Sequence, residues 1–172
     1  MCDYYKHLFS TLSAYNIEKN LKKKISGFAL MMKAANAAFN FIHSNTKGKV
    51  IILCGKGNNG GDGYGLGALL FMTNRNVIIY KVEEPVKAEA KATLKLCLKL
   101  GVKVQRWSNS LNGADIYIDA LLGAGIQKSP KPPYKSIIKD LIKAKKKGKK
   151  IIALDVPSGV DGSTGIAYHP SV

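Results

Sequence analysis

Arginine is almost missing from this chain. Of its 27 basic residues, all but Arg75 and Arg106 are lysines. Specific reading of bases and phosphates usually relies on the planar fork of Arg, which an ammonium group cannot reproduce. The net charge of +16 therefore does not by itself mark a nucleic-acid reader. The lysines are widely spread, with clusters at 22–24 and 143–150, and read as solvated helix faces that attract anionic ligands in passing.

Cysteine is scarce as well. Cys2, Cys54 and Cys97 are odd in number and form no C-x-x-C pair, which argues against a disulfide framework or zinc cluster and for a reducing cytoplasm. The N-terminus has no continuous apolar run before a cleavage site, so no secretory signal is expected. No stretch approaches the roughly 18–20 apolar residues that span a bilayer, and a soluble protein is expected. Of the three histidines, His7 and His169 lie near the termini and His43 ends a helical pattern. None pairs with a plausible nucleophile.

What the chain does have is alternation. Its 172 residues, 46% hydrophobic, suit one domain with a real core. Residues 17–43 carry a helical pattern, bent near Ser26-Gly27, with an apolar face over 28–42 in which Met31 and Met32 read as core. The runs at 50–54, 77–82, 102–104, 114–118 and 151–154 read as strands. Helical patterns lie between them at 63–72, 87–100 and 133–147, and Gly101 and Gly148 terminate the last two. Strands alternating with helices of this length predict βαβ units. The expected fold is α/β, a three-layer Rossmann-like sandwich around a mostly parallel sheet. The chain stops at Ser171-Val172 straight after a loop, and a domain truncated at its C-terminus is the simplest reading of that.

In such sheets ligands bind beyond the carboxyl ends of the strands. Three polar, glycine-bearing loops fall there: Gly-Lys-Gly-Asn-Asn-Gly-Gly-Asp-Gly (55–63), Asp-Ala-Leu-Leu-Gly-Ala-Gly (119–125) and Asp-Val-Pro-Ser-Gly-Val-Asp (155–161), the last running on to Gly165. The first contains G-x-G-x-x-G as Gly55, Gly57 and Gly60, with Glu83 and Glu84 about twenty residues on. Glycine is so dense here that some spacing must fit. Five glycines and two asparagines in nine residues nonetheless exceed the needs of a turn, and suit backbone amides at a helix N-terminus holding phosphate. A strand-terminal Asp commonly caps the next helix. Val156-Pro157 denies Asp155 that role and leaves it as a candidate general acid or base. Asn59, Asp119 and Ser158 offer hard oxygen ligands, suited to a cation other than zinc.

In this order the three loops resemble the NAD(P)H-hydrate epimerase family, the YjeF N-terminal domain, over roughly residue 17 to the end. The resemblance implies interconversion of the S and R hydrates of NADH and NADPH, formed by addition of water at C6 of the nicotinamide ring. It implies a nucleotide held by Asn58, Asn59, Gly60, Gly61, Asp62, Gly123, Ala124, Gly125, Ile126, Gln127, Lys128, Ser129 and Asp155. It further implies a potassium ion on Asn59, Asp119 and Ser158, acid–base work by Asp155, and a separate dehydratase that consumes one epimer. Family members usually continue into a further strand and helix, and often carry Ala-Gly where this chain reads Ala34-Ala35. Residues 1–15 match nothing in the pattern. No dehydratase segment follows, so dehydration is not expected of this polypeptide alone.

Two rival readings stand beside this one. A non-catalytic nucleotide-binding scaffold of the same fold would be expected to lose the loop carboxylates, whereas Asp62, Asp119 and Asp155 are all present. A dehydrogenase using intact NAD would need a Tyr-x-x-x-Lys or His–Asp pair, and the chain offers none in a convincing place. The sequence fixes neither NADHX against NADPHX preference nor oligomeric state, and a homodimer is compatible with it.

Overall fold

The computed structural model describes residues 10–108, 111 and 113–172. Cys2 and His7 lie outside them. Five parallel strands form the sheet: β1 (Val50–Cys54), β2 (Val77–Lys81), β3 (Lys103–Arg106), β4 (Ile116–Ala120) and β5 (Lys150–Ala153). Their order is β3-β2-β1-β4-β5. The chain moves outward from β1 through β2 to β3, then returns to the other side of β1 as β4. A crevice therefore opens between the carboxyl ends of β1 and β4, the switch point where such sheets bind ligands.

Among the described residues the helices are α1 (Thr11–Leu21), α2 (Gly27–Asn45), α3 (Asn58–Met72), α4 (Ala88–Leu100) and α5 (Tyr134–Lys146). Every residue of β1 and β4 is buried, as expected of central strands covered on both faces. Alternation divides their side chains. Val50, Ile52 and Cys54 join a core with Tyr64, Leu66, Leu94 and Cys97, whereas Ile51 and Leu53 join one with Ile137, Ile138 and Leu141 of α5. The helices thus cover both faces, and the sandwich has three layers.

Several boundaries differ from the pattern read in the sequence. The bend at Ser26-Gly27 is a complete break, where the Ser26 hydroxyl caps α2 by accepting from the Ala29 amide at 3.2 Å. Helix α1 begins at Thr11, six residues before the apolar pattern starts. Its cap is Ser10, and none of its residues is buried. Helix α3 begins at Asn58, which makes most of the glycine loop the first turns of a helix. Strand β4 runs through Asp119 to Ala120, so Asp119 belongs to the strand. The C-terminal segment has no further strand beyond an isolated antiparallel bridge between Val160 and Ala167. No helix among the described residues is long and apolar enough to cross a membrane.

Candidate active site at the switch point

Glycine permits the close approach that forms the site. A Cβ on Gly55 would lie 2.0 Å from the carbonyl oxygen of Leu121, and one on Gly63 would lie 2.7 Å from the Ala120 Cβ. The loop after β1 and the first turns of α3 therefore sit directly against the end of β4. The Gly55 amide donates to the Ala120 carbonyl at 2.9 Å and locks the two loops together.

Leu122 is the hub. Its carbonyl accepts from Asn59 Nδ2 at 2.9 Å, and its amide donates to Ser158 Oγ at 2.9 Å. The Ser158 hydroxyl in turn donates to Asp119 Oδ1 at 2.6 Å, while the Ser158 amide donates to Asp119 Oδ2 at 2.8 Å. Asp119 Oδ1 also accepts from the Leu121 amide at 3.2 Å. Asp119 and Ser158 are both 0% exposed. Burial pushes the Asp119 carboxyl above its ordinary range, and the hydrogen bonds from Ser158 and Leu121 pull partly the other way. Asn59 is 7% exposed, and its Oδ1 is a buried acceptor without a partner among the described residues. The three residues singled out as cation ligands are thus assembled around one loop residue, with one oxygen left over.

Above this layer opens a cleft of about 890 Å³. Its walls include Asn58, Asn59 and Asp62 of α3, Gly123, Ala124, Gly125 and Ile126 after β4, and Asp155 after β5. Asp155 is exposed to the cleft, and its Oδ2 accepts from the Ala124 amide at 2.8 Å. Gly123 makes room for it, since a Cβ there would lie 2.7 Å from Asp155 Oδ2. The rest of the expected nucleotide set is placed differently. Gly60 is buried against Gly55, and Gly61 against Met31 and Ala90. Gln127, Lys128 and Ser129 continue the β4 loop beyond the cleft lining and are exposed.

Sequence reasoning missed part of the wall. Tyr15 and Glu18 of α1, Lys22 just after it, Met31 of α2, Lys56, Lys87, Glu89 and Tyr134 all line the cleft. The glycine-rich pattern could have directed attention to Lys56, but α1 carries no such signal. Lys22 bridges Glu18 at 2.7 Å and Glu89 at 3.9 Å, tying α1 across the cleft mouth to α4. Glu83 and Glu84 are engaged by Lys56 and Lys81 respectively. They do not stand free at the end of β2 as the acidic residue of a dinucleotide fingerprint would.

Asp161 has a different part. It accepts from the amides of Ser163 at 2.8 Å and Thr164 at 3.0 Å, which hold its carboxyl below the ordinary range. It shapes the third loop.

Three comparisons bear on this architecture. The model of a family described as YjeF-related protein N-terminus matches residues 27–172. An NAD(P)H-hydrate epimerase of Rhodopirellula baltica is 34% identical over 151 residues, which cover 83% of this chain and 60% of that protein. An NAD(P)H-hydrate epimerase of Limosilactobacillus fermentum is 32% identical over 152 residues, covering 86% of this chain and 72% of that protein. A bifunctional NAD(P)H-hydrate repair enzyme of Coxiella burnetii is 32% identical over 82% of this chain, which spans 29% of its length. In the crystal structure of a yeast protein the same fold recurs, with a TM-score of 0.80 over 96% of this chain and 76% of that one at 22% identity.

Proposed function

Because the chain belongs to the family of YjeF-related protein N-termini, we propose that it epimerises hydrated NADH and NADPH at C6 of the nicotinamide ring. The observation that carries this reading is the convergence of three strand-end loops on one cleft, with the exposed carboxylate of Asp155 anchored at its rim by the Ala124 amide. Amides at the start of α3 suit a pyrophosphate, and the glycine-lined β4 loop suits the ribose and ring beside Asp155. Beyond the cleft lining, exposed Gln127, Lys128 and Ser129 would reach the nucleotide only at its outer edge. Asp155 stands where it can take or give the proton of the C6 hydroxyl.

A potassium ion fits the layer beneath. Asn59 Oδ1 is a buried acceptor without a donor, and the buried Asp119 carboxylate has lone pairs beyond those its three hydrogen bonds use. With Ser158 they form an oxygen-only set suited to a hard cation. When bound, such an ion would offset the buried charge and hold the loops. We assign the work to a cytoplasmic repair pathway in which a dehydratase consumes one epimer, without specific nucleic acid and with a homodimer as the assembly to test.

The test is direct. Full-length protein incubated with purified R-hydrate should convert it to the S form, followed by chromatography above the uncatalysed background. Asp155→Asn keeps an oxygen to accept from the Ala124 amide but cannot shuttle a proton, so epimerisation should slow by about 10²–10⁴-fold. Parent activity in that variant would move the acid–base role elsewhere.

A further inference from the structure

Helical geometry separates the polar residues of the glycine-rich segment into two sets. Asn58 and Asp62 are four apart on α3 and share a face, and both line the cleft. Asn59 turns toward Leu122 at the end of β4, and Gly63, four residues on, packs on Ala120 and Cys54. Asp62 therefore belongs to the cleft wall, and besides Glu18 and Glu89, which share Lys22, the cleft receives two carboxyl groups, those of Asp62 and of Asp155 from the loop after β5.

Their surroundings differ. Asp155 is exposed and holds the Ala124 amide. Asp62 is half-buried. The charged groups lining the cleft around it are Glu18 of α1, Lys22 just after it, Lys56 after β1, Lys87 and Glu89 at the start of α4, and Asp155. Lys22 is taken by Glu18 and Glu89, and Lys56 by Glu83. Burial first, then the negative charge of Asp155, then that of Glu18 push the Asp62 carboxyl up to about 7.

We propose that Asp62 is a second proton-transfer residue, which works with Asp155 as a pair of carboxyl groups holding one proton between them. The role rests on the epimerase reading above. The Asp62 carboxyl gives its proton to the C6 hydroxyl. The C6–O bond breaks, its electron pair leaves with the oxygen as water, and the lone pair of the ring nitrogen forms the C=N bond of an iminium. Water then adds to the opposite face of C6, the C=N electrons return to nitrogen, and the released proton passes to the Asp155 carboxylate. One water leaves and one enters, and nothing is oxidised or reduced. The reverse reaction starts with the proton on Asp155, and exchange with solvent resets the pair. A carboxyl group raised in proton affinity by its surroundings, as that of Asp62 is, suits the part of the acid in such a division.

The experiment compares the parent chain with Asp62→Asn and Asp62→Glu in three measurements. Carboxyl carbon-13 spectra of the nucleotide-free protein should show one Asp resonance titrating near 7 that is lost in Asp62→Asn. Asp62→Asn should lose about 10²–10⁴-fold in kcat with KM little changed, and Asp62→Glu should recover part of the loss. The parent kcat/KM should be bell-shaped in pH, falling on the alkaline side as the pair gives up its last proton. Parent kcat in Asp62→Asn, a loss confined to KM, or an Asp62 resonance titrating near 4 would each overturn the role. An active parent with an unaffected Asp62→Asn removes the role of Asp62 alone, whereas an inactive parent removes the epimerase reading and this role together.

Discussion

Gly60 stands so close to Gly55 that a Cβ on it would lie 1.9 Å from the Gly55 carbonyl oxygen. The first turn of α3 rests on the loop that precedes it, backbone on backbone. No side-chain rearrangement can relieve that contact, so Gly60→Ala must displace either the helix or the loop. The expected cost is about 1–3 kcal/mol or more, read as a lower melting temperature. Gly125, with nothing within 4 Å of its Cβ position, is the control. Gly125→Ala should change stability by no more than about 0.5 kcal/mol. Equal melting temperatures for the two variants would contradict the packing described.

The unpartnered Oδ1 of Asn59 makes the cation layer testable without any assay of turnover. In the presence of nucleotide, the parent should melt at higher temperature in potassium than in the same concentration of tetramethylammonium, because an ion bound to the native state stabilises it by mass action. Asn59→Ala removes the free acceptor and should abolish that difference. Identical melting of the parent in both salts would count against a bound ion.

Asp62 also predicts a pH dependence of stability. Its carboxyl is raised from 3.8 to about 7 in the folded chain, so between these values the native state binds the proton more tightly than the unfolded chain does. The stability that this lends is complete below about 4 and is lost as pH rises through 7. Asp62→Asn carries no such dependence. Its melting temperature relative to the parent should therefore climb between pH 4 and pH 8, by on the order of a few degrees. A constant difference across that range would mean that Asp62 is not held in the protonated form by its surroundings.

The strands were readable because β1 and β4 are buried on both faces and written as apolar runs, unbroken in β1 and interrupted in β4 only by Asp119 near its end. The start of α3 was not readable. Gly60 and Gly61 have poor helix propensity and read as loop, with the helical pattern starting only at Gly63. They are helical because tertiary packing overrides propensity. Gly61 meets Met31 and Ala90, Gly65 meets Ala35, and Gly67 meets Ile79. The glycines let α3 lie unusually close to α2, α4 and the sheet. The site was legible to a similar depth. The motifs identified Asn59, Asp119 and Ser158, and these do meet around Leu122. The contribution of α1 escaped notice because its cleft-facing residues, Thr11, Ala14, Tyr15 and Glu18, are spaced along one face but mix polar and apolar types, and none is buried. The raised proton affinity of Asp62 escaped because it depends first on burial in the folded chain, then on Asp155, 93 positions away, and on Glu18.

Irregular backbone usually exchanges its amide hydrogens with water quickly. The segment after β5 should not, because Asp119 reaches it from inside the sheet. The amide of Ser158 donates to that buried carboxylate, and the Ser158 carbonyl accepts from the Val172 amide at 3.0 Å. Deuterium should enter at Ser158 about as slowly as at the centre of β4, although no helix or regular strand surrounds it. The protection of one loop amide thereby becomes a clock for the opening of the whole sheet.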